Sequence, residues 1–175
     1  MSSIDLTILG FLQKKPMSAY ELTRLFEFKR VQKWVKIGSP TIYQNIKKLA
    51  AKKYLTGKTV KEGEMPEKVI YSITKSGREH FLELMNRFSA NPGKIFFDFN
   101  ALIANLSLVD KETALEMLQD LKMSFISSKD DVDNDFAQLP DVLTEGKAIM
   151  KLYRMVFRDM IKWIDELSEN YQNKE

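Results

Sequence analysis

Apolar residues recur at helical spacing in three stretches near the start of the chain. The first stretch covers residues 4–12 and stops before Pro16, because proline cannot continue a helix. The second begins after Ser18, which with Glu21 has the spacing of a capping box. The third covers residues 40–53, where proline suits the first helical position. The pattern therefore predicts three short amphipathic helices.

After these helices the pattern becomes strand-like. Residues 54–60 and 69–73 are rich in β-branched and aromatic side chains, and residues 61–68 between them are polar and contain glycine and proline. This arrangement predicts a β-hairpin with a turn-rich tip. Thr74 can cap a further helix that extends to Phe88. Three helices, a hairpin and a fourth helix are the order of a winged helix-turn-helix domain.

The second half of the chain predicts helices only. Proline and glycine within residues 89–94 interrupt the periodicity, so we expect a winged DNA-binding domain over residues 1–90 and a helical dimerisation or effector domain over residues 91–175. Helices are predicted from residue 95 to 106 and from Asp110 to about Phe136, with a break at Leu139-Pro140. Residues 141–169 predict either one long helix or a short and a long helix with a hinge near Gly146.

The last of these helices has a seam suited to pairing with another helix. Six apolar residues repeat at alternating intervals of four and three, which is about three heptads of an a/d pattern. They are Ile149, Tyr153, Val156, Met160, Trp163 and Leu167. We expect this seam to join two subunits. The predicted fold is mainly α: an N-terminal winged helix-turn-helix and a C-terminal helical dimerisation domain.

The two halves differ in charge. Residues 1–88 contain 17 basic and 8 acidic side chains, a net charge of +9, whereas residues 89–175 contain 10 basic and 16 acidic side chains, a net charge of −6. The split indicates that only the first half meets a polyanion, although two unrelated solvated surfaces would have the same charges.

The cysteine count and the hydropathy pattern bear on location. The absence of cysteine excludes disulfides and thiolate metal sites. No apolar run approaches the roughly 20 residues of a membrane span, and the first residues lack the pattern of a signal peptide. We therefore expect a cytoplasmic protein.

The third predicted helix has a polar face opposite its apolar stripe. Lysines on this face suit phosphates, whereas threonine and glutamine suit base edges, glutamine especially adenine. Tyr20 and Tyr43 suit either a bond to a phosphate or packing in the core. The lysines of the hairpin suit a minor groove, although three glutamates lie near them. The predicted DNA contacts are Ser18, Tyr20, Ser39, Thr41, Tyr43, Gln44, Lys47, Lys48, Lys52, Lys58, Lys61 and Lys68.

Enzymatic functions find no support in the motifs. There is no Gly-rich phosphate loop, nucleophile elbow or metal-ligand spacing, so no cofactor or metal is expected. The acidic residues within 130–135 lack the glycine and glutamate of a calcium loop, and we predict a solvated, helix-breaking surface there. Trp34 is predicted as a core anchor and His80 as non-functional. Packing in the dimer is favoured for Trp163 over stacking on an effector.

Several motifs are similar to those of the PadR family of bacterial transcriptional regulators. They are Ile8-Leu9-Gly10-Phe11-Leu12, Pro16-Met17-Ser18-Ala19-Tyr20-Glu21-Leu22, Ser39-Pro40-Thr41-Ile42-Tyr43 with Trp34 upstream, Ile46-Lys47-Lys48-Leu49, and Tyr71-Ser72-Ile73-Thr74-Lys75-Ser76-Gly77-Arg78. The resemblance implies a homodimeric repressor or activator that binds double-stranded DNA and responds to a small, often aromatic, molecule.

This chain departs from the family pattern at two positions. The family usually has glycine where this chain has Ala19, and it favours glycine at the end of the recognition helix, where this chain has Lys53. A lysine there must adopt a left-handed cap or end the helix in another way. Two other functions remain open at this point, a winged-helix adaptor for proteins and a nucleic-acid binder without operator specificity.

Overall fold

The computed structural model describes residues 3–35, 39–61, 67–138 and 144–173. Contacts within the chain form two units, Met1–Ile95 and Phe96–Glu175. The contact boundary therefore lies after Ile95, whereas the periodicity of the sequence changes after residue 90. Among the described helices, none is long and apolar enough to cross a membrane.

The first unit has the predicted order of helices and hairpin, and the mainly α fold class is confirmed. Its helices are α1 (Ser3–Lys14), α2 (Ala19–Phe28), α3 (Ser39–Ala51) and α4 (Lys75–Ala90), and its strands are β1 (Met17–Ser18), β2 (Leu55–Val60) and β3 (Lys68–Ile73). A short 3-10 turn, Val31–Lys33, connects α2 to α3. Of the predicted hairpin tip, residues 61–68, residues 62–66 lie outside the described residues, and Lys68 already begins β3.

The sheet has one strand more than the predicted hairpin. Its order is β1-β3-β2, with both pairs antiparallel. Met17 pairs with Tyr71 and Ser18 with Ile70, so β1 fastens the start of α2 to the hairpin. Two residues are too short to show a period, which is why this strand has no signal in the sequence.

The core of the first unit is built from the apolar stripes of all four helices. Ile8 and Leu9 of α1 and Leu22 of α2 are fully buried. Burying a side chain of this size contributes about 1.5–3 kcal/mol relative to leaving it exposed. Val31 is also fully buried, so the 3-10 turn after α2 contributes to the core. The prediction that Trp34 anchors this core is wrong, because 37% of its surface remains exposed.

The second unit is a long helical hairpin with a short helix before it. The helices are α5 (Asn100–Asn105), α6 (Lys111–Gln138) and α7 (Thr144–Gln172). Asp110 caps α6 by accepting bonds from the Thr113 backbone N–H (2.9 Å) and hydroxyl (2.7 Å). Three polar contacts show that α6 and α7 run antiparallel, because residues further along α6 meet earlier residues of α7. They join Lys111 to Gln172, Lys122 to Asp165 and Asp133 to Arg154.

Two sequence predictions for the second unit are wrong, and one open alternative is decided. The helix predicted over residues 95–106 covers only Asn100–Asn105, and Ile95 and Phe96 before it are 80% and 79% exposed. The acidic run does not break α6, because Lys129 and Arg154 pair with Asp133 and offset the repulsion. For the last helix the first alternative, one long helix, is observed, because α7 passes through Gly146 without a hinge. The break predicted at Leu139-Pro140 lies outside the described residues.

Candidate nucleic-acid interface

Helix α3 divides cleanly into a buried and an exposed face. Ile42, Ile46 and Leu49 face the core, with at most 3% of each side chain exposed. Four residues at the helical positions between these three point away from the core, so their side chains face solvent. These exposed residues are Tyr43, Gln44, Lys47 and Lys48, followed by Lys52 just beyond the helix.

The lysines of this face make no ion pair within the described part of the chain. Among the residues that the structure describes, no carboxylate lies within ion-pair distance of Lys47, Lys48 or Lys52. Uncompensated cations on a rigid helix are free to bind an anion such as a phosphate. The side chain of Ser39, the other predicted contact at this helix start, lies outside the described residues.

One polar side chain of α3 is turned back onto the helix. The Asn45 amide donates a hydrogen bond of 2.7 Å to the carbonyl oxygen of Thr41. Thr41 itself is half-buried. Gln44 is therefore the exposed amide on this face.

The start of α2 combines a buried cap with an exposed ring. The Ser18 backbone N–H (2.7 Å) and hydroxyl (2.8 Å) donate to the Glu21 carboxylate, and the Ser18 hydroxyl accepts from the Glu21 N–H (3.2 Å). These bonds, the backbone one most, hold the pKa of Glu21 below its ordinary value of 4.5. Because Ser18 is 6% exposed and its hydroxyl caps α2, we remove it from the candidate DNA contacts. Tyr20 is 66% exposed and stays a candidate.

Three predicted contacts belong to the hairpin. Lys58 and Lys61 are exposed, and Lys68 is half-buried. Lys68 and Lys15 both lie near enough to Glu21 to lower its pKa further. Lys15 is exposed and lies just before β1. Because β1 pairs with β3, Lys15 extends the basic surface from the hairpin base towards α2, which the sequence alone does not show.

Helix α3 ends with a left-handed cap at Lys53. Its backbone has φ = 61°, the left-handed conformation in which glycine is normally found. The Lys53 N–H donates to the Ala50 carbonyl (2.9 Å), and the Tyr54 N–H donates to the Leu49 carbonyl (3.0 Å). These two bonds form a Schellman motif, so α3 ends in the usual way with an unusual residue.

The start of α4 packs closely against this helix end. Thr74 caps α4 by accepting from the Gly77 N–H at 3.0 Å. A Cβ on Gly77 would lie 2.1 Å from the Tyr54 carbonyl oxygen, so only glycine fits there. His80 stacks on the Tyr54 ring with the centroids 4.2 Å apart and bonds to Glu83 at 3.0 Å, a packing role that the sequence did not reveal.

The six predicted dimerisation residues fall into two groups. Met160 and Leu167 pack against the core of their own chain. Trp163 is 37% exposed, and the side chains of Ile149, Tyr153 and Val156 are half-buried. The Trp163 ring also lies 5.9 Å from Phe99, which in turn contacts Phe125 and Phe97 at 5.2 Å. Within the described residues no group of His, Cys, Asp and Glu is placed to hold a metal ion.

Comparisons with known proteins agree with this geometry. Residues 8–83 match the model of the Transcriptional regulator PadR-like family. The Negative transcriptional regulator PadR of Bacillus subtilis (strain 168) is 25% identical over 139 residues, which cover 79% of this chain and 76% of that relative.

Solved structures extend the likeness to both units. Bacillus subtilis PadR in complex with operator DNA has a TM-score of 0.80 at 19% identity, over 97% of this chain and 99% of that chain. The same protein in complex with p-coumaric acid has a TM-score of 0.81 at 18% identity, over 97% and 99% of the two chains. The family model covers the winged unit, and the shared fold covers the helical unit as well. Over residues 8–83 this chain is therefore similar to the PadR-like family of transcriptional regulators, which are not enzymes, and both of its units have the fold of PadR.

Proposed function

We propose that this regulator is a homodimeric, sequence-specific repressor that binds an inverted-repeat operator and is released by a small aromatic effector. Residues 1–90 bind double-stranded DNA, and residues 91–175 pair the subunits and respond to the effector. The protein acts in the cytoplasm and needs no cofactor. The repressor sign rests on the relative of Bacillus subtilis, whose name describes a negative regulator.

The observation that carries the proposal is the exposed cationic face of α3. Lys47, Lys48 and Lys52 are exposed and have no carboxylate partner among the described residues, while the opposite face is anchored in the core. Each lysine that neutralises a phosphate releases counterions and so contributes sequence-independent affinity. Thr41 and Gln44 on the same helix are the candidates for base recognition, and Tyr43 is a candidate for a phosphate contact.

Two hairpin lysines and one tyrosine extend this surface. Lys58 and Lys61 are exposed on the wing, and Tyr20 is exposed at the start of α2, where its hydroxyl can donate to a phosphate. The half-buried Lys68 pairs with Val60 at the tip end of the two wing strands, and we include it in the same contact. Together they give a footprint wider than one helix.

The dimer is supported by apolar side chains that α7 leaves exposed. Leu152 and Met155 are more than 40% exposed, and Trp163 is exposed by 37%. Apolar surface of this kind on one helix suits a second copy of the same helix. A two-fold dimer repeats its recognition helix about the symmetry axis, so its operator is an inverted repeat.

The effector class comes from the structural likeness. Bacillus subtilis PadR, which shares the fold over both units, has been solved with p-coumaric acid. We assign a small aromatic acid to this chain on that basis. A titration of p-coumaric acid into the protein–operator complex, followed by fluorescence anisotropy, is expected to release the DNA. Acetate at the same concentrations is the control, and retention of DNA with both acids would remove the effector from the proposal.

The decisive experiment is selection of bound duplexes from random DNA by the purified protein. Enrichment of one palindrome is the expected result. Retention without enrichment, together with a steep salt dependence, indicates a non-specific binder. No retention even at low salt indicates that the winged unit binds protein rather than DNA. The variant with both Lys47→Glu and Lys48→Glu is the matched control and is expected to retain no duplex.

A further inference from the structure

The end of the recognition helix is held in a strained conformation. Lys53 is one of two non-glycine residues with positive φ among those that the structure describes, the other being Arg30. A strained backbone persists only where its surroundings over-determine it, and such positions concentrate at functional sites. At Lys53 the restraint comes from the residues that begin α4.

Two hydroxyl groups bond the same carbonyl oxygen. The Thr74 hydroxyl lies 2.8 Å and the Ser76 hydroxyl 3.1 Å from the Lys53 carbonyl oxygen, which has a lone pair for each. The Thr74 backbone N–H adds a bond of 3.1 Å to the carbonyl oxygen of Tyr54. We call this arrangement of Lys53, Thr74 and Ser76 the hydroxyl clamp.

The clamp lies beside the residues proposed to bind phosphates. Lys52 directly precedes Lys53. The Lys52 backbone N–H donates at 3.1 Å to the carbonyl oxygen of Lys48, one helical turn earlier. The same clamp joins Lys53, which follows α3, to the start of α4. A loss of the clamp would therefore free the end of α3 from α4.

We propose that Thr74 and Ser76 are positioning residues for DNA recognition, which act by fixing the last turn of α3 and its lysines in the orientation that binds DNA. This inference rests on the proposed function. A surface that is already ordered loses less conformational entropy on binding and so binds more tightly. The sequence alone predicts only the capping of α4 as a role for Thr74.

The first test uses Ser76→Ala, since Ser76 is exposed and the cap between Thr74 and Gly77 stays intact. On the selected operator, the Kd is expected to rise about threefold to tenfold. The slope of log K against log salt is expected to become shallower by about the amount that one phosphate contact contributes, because the Lys52 side chain loses its fixed position. The melting temperature is expected to change little.

Matched variants separate positioning from folding. Ser89→Ala removes a similar hydroxyl bond, to the Asn86 carbonyl at 2.9 Å, from the other end of α4, and is expected to bind DNA like the wild type. Thr74→Ser keeps its hydroxyl and is expected to retain affinity, whereas Thr74→Val loses it together with the cap. Hydrogen exchange at the Lys53 and Tyr54 amides is expected to accelerate in Ser76→Ala and not in Ser89→Ala.

The outcomes have distinct meanings. A wild-type protein that binds no duplex overturns the proposed function and this inference with it. A wild-type protein that binds its operator, beside a Ser76→Ala variant of unchanged affinity and salt slope, overturns the positioning role alone. A weaker Ser76→Ala with unchanged exchange at Lys53 and Tyr54 overturns the mechanism through the clamp.

Discussion

The two units of the chain bury their apolar side chains in different ways. Among the described residues, the core of the first unit contains 13 buried apolar residues, whereas that of the second contains five. The first unit turns charge outward on α3, and the second turns apolar side chains outward on α7. The first unit therefore has the larger core, whereas the second leaves apolar side chains exposed on α7, where we propose that a second copy binds.

The largest expected effect comes from charging the apolar surface of α7. Val156→Asp with Trp163→Asp would place carboxylates inside the proposed dimer contact, where an unpaired charge costs several kcal/mol. We expect the dimer dissociation constant to rise on the order of 10³-fold or more. Sedimentation equilibrium would show monomers. The exposed pair Lys151→Asp and Lys162→Asp on the same helix is the control, and a double variant that stays dimeric would mean that the subunits pair elsewhere.

Reversing charge on α3 tests the other side of the comparison. Lys47→Glu with Lys48→Glu removes two phosphate contacts and adds repulsion, so we expect operator affinity to fall on the order of 10²–10³-fold at low salt. The salt slope should decrease by about two contacts. The same reversal at Lys147 and Lys151 of α7, both exposed, should leave DNA binding unchanged. Equal losses in both variants would show that net charge, and not α3, controls the affinity.

The contact between Gly77 and Tyr54 predicts a large loss of stability. In Gly77→Ala the new Cβ would meet the Tyr54 carbonyl oxygen, and overpacking against backbone is expected to cost about 3 kcal/mol or more. Gly10→Ala is the control. Gly10 lies inside α1, and its new Cβ would make an ordinary contact of 3.5 Å with the Phe81 ring of α4. That change should be neutral or stabilise by up to about 1 kcal/mol. Urea unfolding measures both.

A smaller gain is expected from Lys53→Gly. Glycine adopts the left-handed conformation without steric strain, but it also gains entropy in the unfolded chain, so the net stabilisation should be about 0.5–1 kcal/mol. Urea unfolding of the variant and the wild type measures it. Lys52→Gly places the same residue one position earlier, outside the left-handed site, and should destabilise the protein.

The smallest effect concerns the cap of α2. Because the pKa of Glu21 is lowered in the folded protein, its contribution to stability is complete above its ordinary value of 4.5 and is lost as the pH falls through the lowered pKa. Glu21→Gln lacks this dependence. The difference in urea midpoint between the wild type and this variant should therefore narrow between about pH 6 and pH 3. A constant difference would mean that the carboxylate charge does not matter.

The sequence predicts what depends on local periodicity. The stripe of Ile42, Ile46 and Leu49 gave α3, and the capping box of Ser18 and Glu21 gave the start of α2, because both signals lie within one or two turns. The sequence also places Lys47 and Lys48 on the exposed face. These features need no knowledge of the rest of the chain.

Features that depend on distant pairing were missed or wrong. β1 exists only because Met17 finds Tyr71, and the hydroxyl clamp exists only because Ser76 meets Lys53 across the hairpin. Residues 95–99 have an apolar composition that suits a helix, yet Ile95 and Phe96 remain exposed outside any helix. Composition alone does not show whether a neighbouring surface is available to bury such residues.

The bond from Asn45 to Thr41 has a consequence for the base composition of the operator. Arginine, the commonest reader of guanine, is absent from Ser39–Ala51, and the asparagine that can read adenine is bonded to its own helix. Gln44 is left as the exposed amide, and glutamine pairs best with adenine. For an operator read through α3, the base pair that Gln44 contacts in each half-site is therefore expected to be A·T.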